Sequence, residues 1–249
     1  MHKIQISLCA LALALALFPF QSNAEETITV SWRIKAPYQY LENGIEKGYL
    51  LEQVKQIFAQ AQIRTQFSVA PSKRIWSNFS TGVKNYCSFD WYKNSERELV
   101  AQFSEVLHLT PPYSVLASPT AASHIFAHAS LQSLMADPSL TLGIVDSVSY
   151  GTELDAMINA SKNKIERNNV LPMIMARMVA ANRASYMLID KREWEYLRNN
   201  DAYLYQTKIG DLSGTPTGIN SYIVCSKDIS AEQMQRINAA IQKITKLKK

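Results

Sequence analysis

Residues 87–103 read CSFDWYKNSERELVAQF, and the fold turns on how they are parsed. The apolar start closes a strand, DWYKNS is a polar and aromatic turn, and SERELV opens a helix. Arg97 falls in the first turn of that helix, where the macrodipole is positive and a cation is disfavoured. A salt bridge to Glu96, Glu98 or a neighbouring acid is one account of it. The other is a receptor for a carboxylate, in which a planar guanidinium and a helix N-terminus match a planar pair of acceptors. Asp90, Trp91 and Tyr92 just before it supply an apolar wall and polar handles.

Upstream, residues 27–34 (TITVSWRI) alternate as a strand that ends at Lys35-Ala36-Pro37, with Tyr38 and Tyr40 on the loop before Asn43-Gly44. Leu50, Leu51, Val54, Ile57, Phe58 and Ala61 then follow helical spacing. Residues 65–69 form a second strand, and Pro71-Ser72 open a helix burying Ile75, Trp76 and Phe79. Strands alternating with helices predict a parallel sheet covered on both faces, with ligands beyond the carboxyl ends of its strands. The loops at 38–40, 71–74 and 90–97 therefore share one rim.

Downstream, Thr110-Pro111-Pro112 breaks the pattern and residues 113–117 are extended. A helix over 130–136, a strand over 140–145 and a helix from Ser149 repeat the alternation. The turn Asp146-Ser147-Val148-Ser149-Tyr150 reads either as ordinary N-capping or as a cradle for an anion or polar group. Residues 165–168 are extended, and Pro172 starts a helix whose Met173, Met175 and Met178 fill core. A strand over 185–189, a helix over 191–198 and a strand over 202–209 follow. After a second break at Gly214-Thr215-Pro216 come a strand over 219–226 and a last helix, capped by Ser230 with Gln233 and striped by Met234, Ile237, Ile241 and Ile244. The expected organisation is a discontinuous first lobe, residues 25–112 with 217–249, around a second lobe of residues 113–216. Each is a sheet flanked by helices, and two crossover segments join them.

The 249-residue chain is 47% hydrophobic and 19% charged, a balance that excludes wholesale disorder. His2-Lys3, an apolar run over residues 4–20 and the small-x-small Ser22-Asn23-Ala24 read as a signal peptide cleaved after Ala24. That run falls short of the roughly 20 apolar residues that span a bilayer, so the mature chain is expected to be exported to the periplasm. It would carry 25 basic against 21 acidic residues, a formal charge of +4. With no basic patch interleaved with aromatics, nucleic acid is not an expected partner. Cys87 and Cys225 remain after processing. In an oxidising compartment the pair favours a disulfide over two buried thiols, and both lie in strand-like stretches. His124 and His128 are four apart, but with no third ligand in view they read as a surface or core pair and not as a metal site.

APYQYLENG (36–44), KGYLLEQV (47–54), SERELVAQFS (95–104), LGIVDSVSYG (142–151) and NRASYMLID (182–190), behind a signal peptide, resemble the bacterial extracellular solute-binding proteins of family 3. The resemblance covers essentially the whole mature chain and implies an α/β, two-lobed type II periplasmic-binding-protein fold. In amino-acid-binding members an arginine after a short turn, followed by Phe-Ser, grips the ligand carboxylate. Asn94-Ser95-Glu96-Arg97 with Phe103-Ser104 match, which gives that role to Arg97. Tyr38 matches the aromatic after the first strand's proline, and Ser149 the hydroxyl at the helix start of the second lobe. Where the family holds the ligand ammonium with an acid two residues after a Gly-Arg pair, this chain has Ser185, leaving Asp90 to supply negative charge.

The resemblance implies a binding protein, not an enzyme, without cofactor or metal. Its lobes would close on a small carboxylate-containing polar ligand, an amino acid or a relative. Arg97 and Ser149 would hold the carboxylate, Tyr38, Trp76 and Trp91 the apolar part, and Tyr92 and Tyr150 would complete the site. The closed monomer would be read by an inner-membrane ABC permease or a sensor. Two alternatives are an exported dehydratase-like enzyme, with Asp90 or Glu42 as general acid, and a degenerate lobe pair that binds a protein.

Overall fold

The computed structural model describes residues 26–146 and 148–246, so the expected signal peptide and its cleavage site lie outside the described residues. The first part of the chain forms β1 (Ile28–Trp32), the hairpin β2 (Tyr40–Glu42) and β3 (Ile45–Lys47), α1 (Tyr49–Gln60), β4 (Thr65–Val69), α2 (Ser72–Ser80), β5 (Tyr86–Trp91), α3 (Ser95–Val100) and β6 (Ala101–Thr110). There follow β7 (Ser114–Ala117), α4 (Ala122–Ile125), α5 (Leu131–Met135), β8 (Thr141–Val145), α6 (Thr152–Asn159), β9 (Lys164–Asn168), α7 (Pro172–Ala180) and β10 (Tyr186–Ile189). The chain ends with α8 (Lys191–Asn200), a 3-10 turn (Ala202–Gln206), β11 (Lys208–Gly210), β12 (Ile219–Ser226) and α9 (Ala231–Lys246).

The strands make two five-stranded sheets, in the orders β4-β1-β5-β12-β6 and β11-β7-β10-β8-β9. In the first, β1 runs parallel to β4 and β5, while β12 is antiparallel to β5 and β6. In the second, β8 is parallel to β9 and β10, and β7 is antiparallel to β10 and β11. The sheets are therefore mixed where a parallel sheet was expected. The chain leaves the first sheet after β6 and re-enters it at β12, and the returning strand runs against β5.

Local chemistry explains the elements that frame the site. The α1 stripe Leu50, Leu51, Val54, Ile57 and Phe58 is fully buried against β1 and α9. Its start is pinned by the Tyr38 carbonyl, which accepts from the amides of Leu50 and Leu51 at 3.0 and 3.3 Å. Gly48 makes this approach possible: its φ is +124°, and a Cβ there would lie 2.2 Å from the Tyr38 oxygen. Ser230 and Gln233 cap α9 reciprocally, at 3.0 and 3.1 Å. Cys87 and Cys225 stand directly opposite on β5 and β12 and are joined by the expected disulfide.

Four segments differ from their sequence reading. The helix that starts at Ser95 stops at Val100, and residues 101–110 pair with β12 as a strand whose register shifts along the pair. The loop around Asn43-Gly44 is a two-stranded hairpin. Residues 202–206 form a 3-10 turn, so only 208–209 of the expected strand pair, within β11 (Lys208–Gly210). The short helix α4 was not anticipated.

Candidate functional site

The carboxyl ends of β1, β4 and β5 in one sheet and of β8 and β10 in the other border the space between the lobes, which holds a recess of about 480 Å³. Trp76, Asn94, Glu96 and Arg97 line it from the first lobe. Asp146, Ser149, Tyr150, Asp155 and Arg167 line it from the second.

Arg97 is only 9% exposed. The Asn94 side chain caps α3 by accepting from the Arg97 amide at 2.9 Å. The guanidinium donates Nη1 to the Tyr92 carbonyl at 2.8 Å and lies 4.4 Å from the Trp76 ring and 5.3 Å from the Trp91 ring. Among the described residues no carboxylate stands within ion-pair distance of it, and Glu98 is taken by Lys93 at 2.8 Å. Burial, and then repulsion from Arg33, pull the guanidinium down to about 10, against the opposing charges of Asp155 and Glu96. The macrodipole account of this residue does not hold: α3 has six residues, too few for a developed dipole, and Arg97 also lies in its last turn. A carbonyl and two indoles hold the side chain.

The aromatics around it are tied together. Trp76 and Trp91 meet edge-on at 5.2 Å, and Trp91 Nε1 donates to Ser88 Oγ at 2.7 Å. Tyr92 gives Arg97 its carbonyl and turns its ring to the second lobe, where its hydroxyl meets that of Tyr113 at 3.1 Å. Tyr150 packs on Tyr113 with ring centroids 5.3 Å apart, and burial pushes its phenol up.

Several expected contacts fall elsewhere. At the loop before α6, the Ser149 hydroxyl donates to Asp155, and the Tyr150 amide donates to the same carboxylate at 2.8 Å. The expected anion cradle is thus occupied by the chain's own acid, which faces Arg97 across the recess. Ser185 stands just ahead of β10, where its Oγ accepts from the Thr141 amide at 2.9 Å. That is the amino end of the strands, opposite the end that carries the recess. Glu42 lies on the exposed β2–β3 hairpin and pairs with Lys47, so it offers no acid to the cleft.

Asp90 and Tyr38 are also outside the recess. Asp90 has φ +63° and is 1% exposed, and its Oδ2 receives Arg33 at 3.1 Å, Lys35 at 3.3 Å and Gln39 at 3.3 Å. Burial disfavours its charge, but Lys35 and Arg33 outweigh burial and hold its pKa below the usual range. For Lys35, 5% exposed, burial is the largest single influence and disfavours the charge, but Asp90, Tyr92 and Asp190 of the second lobe together outweigh it and hold the ammonium well above the usual value. The same ammonium lies 4.5 Å from the ring of Tyr38, which is wholly enclosed in the first core and whose phenol is raised by burial and then by Asp190. Glu193 belongs to this cluster, its carboxyl pushed up to about 8 by burial and by Asp190. Lys35 and Glu193 share a separate recess of about 140 Å³ between the lobes, beside the Tyr40–Tyr196 ring contact at 5.0 Å.

Sequence reasoning passed over Asp146, Asp155, Arg167, Lys35 and Asp190. A signal existed for two of them: Asp146 and Asp190 each follow a strand that ends at the cleft, IV-Asp and LI-Asp.

No family model matches the chain, and no curated protein matches its sequence. Solved structures do resemble it. The arginine-, lysine-, histidine-binding protein ArtJ from Geobacillus stearothermophilus superposes with a TM-score of 0.70 at 12% identity, covering 89% of this chain and 90% of that one. The amino acid ABC transporter substrate-binding protein AbpA from Streptococcus pneumoniae, bound to L-arginine, has a TM-score of 0.70 at 15% identity and covers 90% and 91%. The ancestral amino acid-binding protein AncCDT-1, a precursor of cyclohexadienyl dehydratase, has a TM-score of 0.68 at 16% identity and covers 88% and 89%. At such identities the likeness is one of fold: over nearly its whole length, the chain has the two-lobed α/β fold of periplasmic amino-acid-binding proteins.

Proposed function

We propose that this is a periplasmic solute-binding protein whose lobes, residues 25–112 with 217–249 and residues 113–216, close on a small molecule bearing a carboxylate. One observation carries the reading. A nearly buried guanidinium without an acidic partner among the described residues, set against two indoles, faces a recess lined from both lobes. Such a group is costly to bury unless a counter-ion arrives. A planar carboxylate suits its remaining N–H fork. On the facing wall Asp146 and Asp155 outnumber Arg167 and favour a ligand that also carries a positive group, which points to amino acids over dicarboxylates. Only the closed arrangement lets one small molecule meet both walls, so binding favours closure.

The apolar leader supports export, and no helix among the described residues is long and apolar enough to cross a membrane. The solved relatives that serve ABC transporters support a permease as the reader of the closed monomer. The dehydratase-like alternative has one observation in its favour, a buried Glu193 raised to about 8 and thus able to hold a proton near neutrality. That carboxyl lines the smaller recess with Lys35, away from Arg97.

A thermal-shift screen of amino acids, dicarboxylates and aromatic acids tests the reading. At 100-fold excess over its dissociation constant a ligand contributes about 2.7 kcal/mol, a rise of about 5–10 °C for a chain of this size. Hits among amino acids are expected. Dicarboxylate hits alone would overturn the role of the acidic wall, silence across the screen would favour a protein-binding lobe pair, and a new product on prolonged incubation would favour the enzyme.

A further inference from the structure

His124 and His128 lie on and just after α4, and the nearest acid along the chain, Asp137, is nine residues past His128. The fold brings it back from beyond α5. Asp137 Oδ2 is 2.9 Å from His124 Nε2 and 3.2 Å from His128 Nε2. The two imidazoles stack with centroids 5.5 Å apart and planes 19° from parallel, so both nitrogens face the same carboxylate. The three ligand atoms lie within 4.8 Å of one another. Neighbouring donors on a tetrahedral zinc ion are about 3.3 Å apart, given bonds of about 2.0–2.1 Å.

The surroundings hold these atoms in place. Ser139 donates its amide at 2.9 Å and its hydroxyl at 2.6 Å to Asp137 Oδ1, which leaves Oδ2 aimed at the imidazoles. The backbone on either side is pinned: the Asp137 carbonyl accepts from Asn163 Nδ2 at 2.7 Å, and the His128 amide donates to the Ile125 carbonyl at 3.2 Å. Ile125 and Leu134, next to the ligating segments, are fully buried in the second lobe's core. A carboxylate oriented by two outside donors is the arrangement that metal sites use to fix their ligands. His124, whose side chain is 55% exposed, provides the route of entry.

We propose that His124, His128 and Asp137 form a site for a divalent transition-metal ion of the zinc and copper class. Two imidazole nitrogens and one carboxylate oxygen bind the ion, and water fills the rest of its coordination. Imidazole donors favour Zn²⁺, Cu²⁺ and Ni²⁺ over the oxygen-seeking Mg²⁺ and Ca²⁺. The site stands apart from the proposed solute recess, since none of its three residues lines that recess. The competing account is a hydrogen-bonded clamp between α4 and the turn after α5, which needs no ion.

Titration calorimetry of the tag-free, chelator-treated full chain with zinc chloride decides between them. One equivalent is expected to bind at micromolar concentration or tighter, and Asp137→Asn and His124→Gln are each expected to weaken it at least about tenfold. With Cu²⁺, electron paramagnetic resonance is expected to report two nitrogen ligands in the wild type and one in His124→Gln. Asp137 also braces its turn, so the exposed His124→Gln carries the test if Asp137→Asn does not fold. No saturable zinc binding below about 100 µM, affinity unchanged in His124→Gln, or equal competition by millimolar Mg²⁺ would overturn the proposal.

Discussion

The Arg97 guanidinium carbon lies 4.4 Å from the centre of the Trp76 ring, and both side chains line the inter-lobe recess. A cation over an indole face contributes about 0.5–2 kcal/mol. Arg97→Lys keeps the charge but loses both the plane and the paired donors. It is predicted to weaken any ligand found by thermal shift at least about tenfold, or about 1.4 kcal/mol. Unchanged calorimetric affinity in that variant would remove Arg97 from the site.

Lys35 is the buried counter-ion of Asp90. Lys35→Met leaves that carboxylate with Arg33 and Gln39 alone, and a predicted loss of about 3 kcal/mol follows, the low end for a broken buried pair. The double variant Lys35→Met/Asp90→Asn is expected to recover part of it, because the fully buried carboxylate is gone and the charge left behind, Arg33, is the more exposed partner. Urea unfolding of the four proteins measures the coupling. A single-variant cost under about 0.5 kcal/mol would mean that water reaches the cluster.

Glu193 sets a pH dependence. Its folded pKa, about 8, is above the ordinary value of 4.5, so the folded state holds a proton that the unfolded state has released. Its contribution is complete below the unfolded pKa and is lost as pH rises through the folded one. His108, held below 6.5 by burial, acts in the opposite sense at lower pH, so the clean window is pH 6.5–8. Stability is predicted to fall across it. Glu193→Gln should flatten the slope in denaturant melts at matched ionic strength, and an equally steep slope in that variant would assign the titration elsewhere.

The Cys87–Cys225 bond closes a separation of 138 residues between adjacent strands. Chain entropy sets a ceiling of about 5 kcal/mol on its contribution, with 2–4 kcal/mol typical. Cys225→Ser is predicted to lose stability in that range, and alkylation of unfolded, unreduced wild type should leave both residues unlabelled. Labelling of Cys87 in that experiment would contradict the bond.

The alternation of strand and helix, the two crossings and the α1 and α9 stripes could be read directly, because each follows from the spacing of apolar residues and from caps a few positions apart. The disulfide was legible for a related reason, since both cysteines sit in strand-like stretches that the predicted topology returns to one sheet. The strand over 101–110 was hidden behind a short helix whose polar start resembles a longer one. Ser185 lies at the amino end of β10 beside Thr141, whereas the far end of that strand carries Asp190 toward the space between the lobes.

Taken alone, then, the sequence determined the order of elements, the two-lobed plan and the candidacy of Arg97, all of which depend on neighbours within a few residues. Only the tertiary structure decided which charges meet: Asp90 with Lys35, Asp155 with the Ser149 loop, Asp137 with two histidines, and Arg97 with aromatic faces in place of an acid. The physical reason is distance. A charge takes its partner from whatever the packed lobes bring within a few ångströms, and local spacing carries no record of that choice.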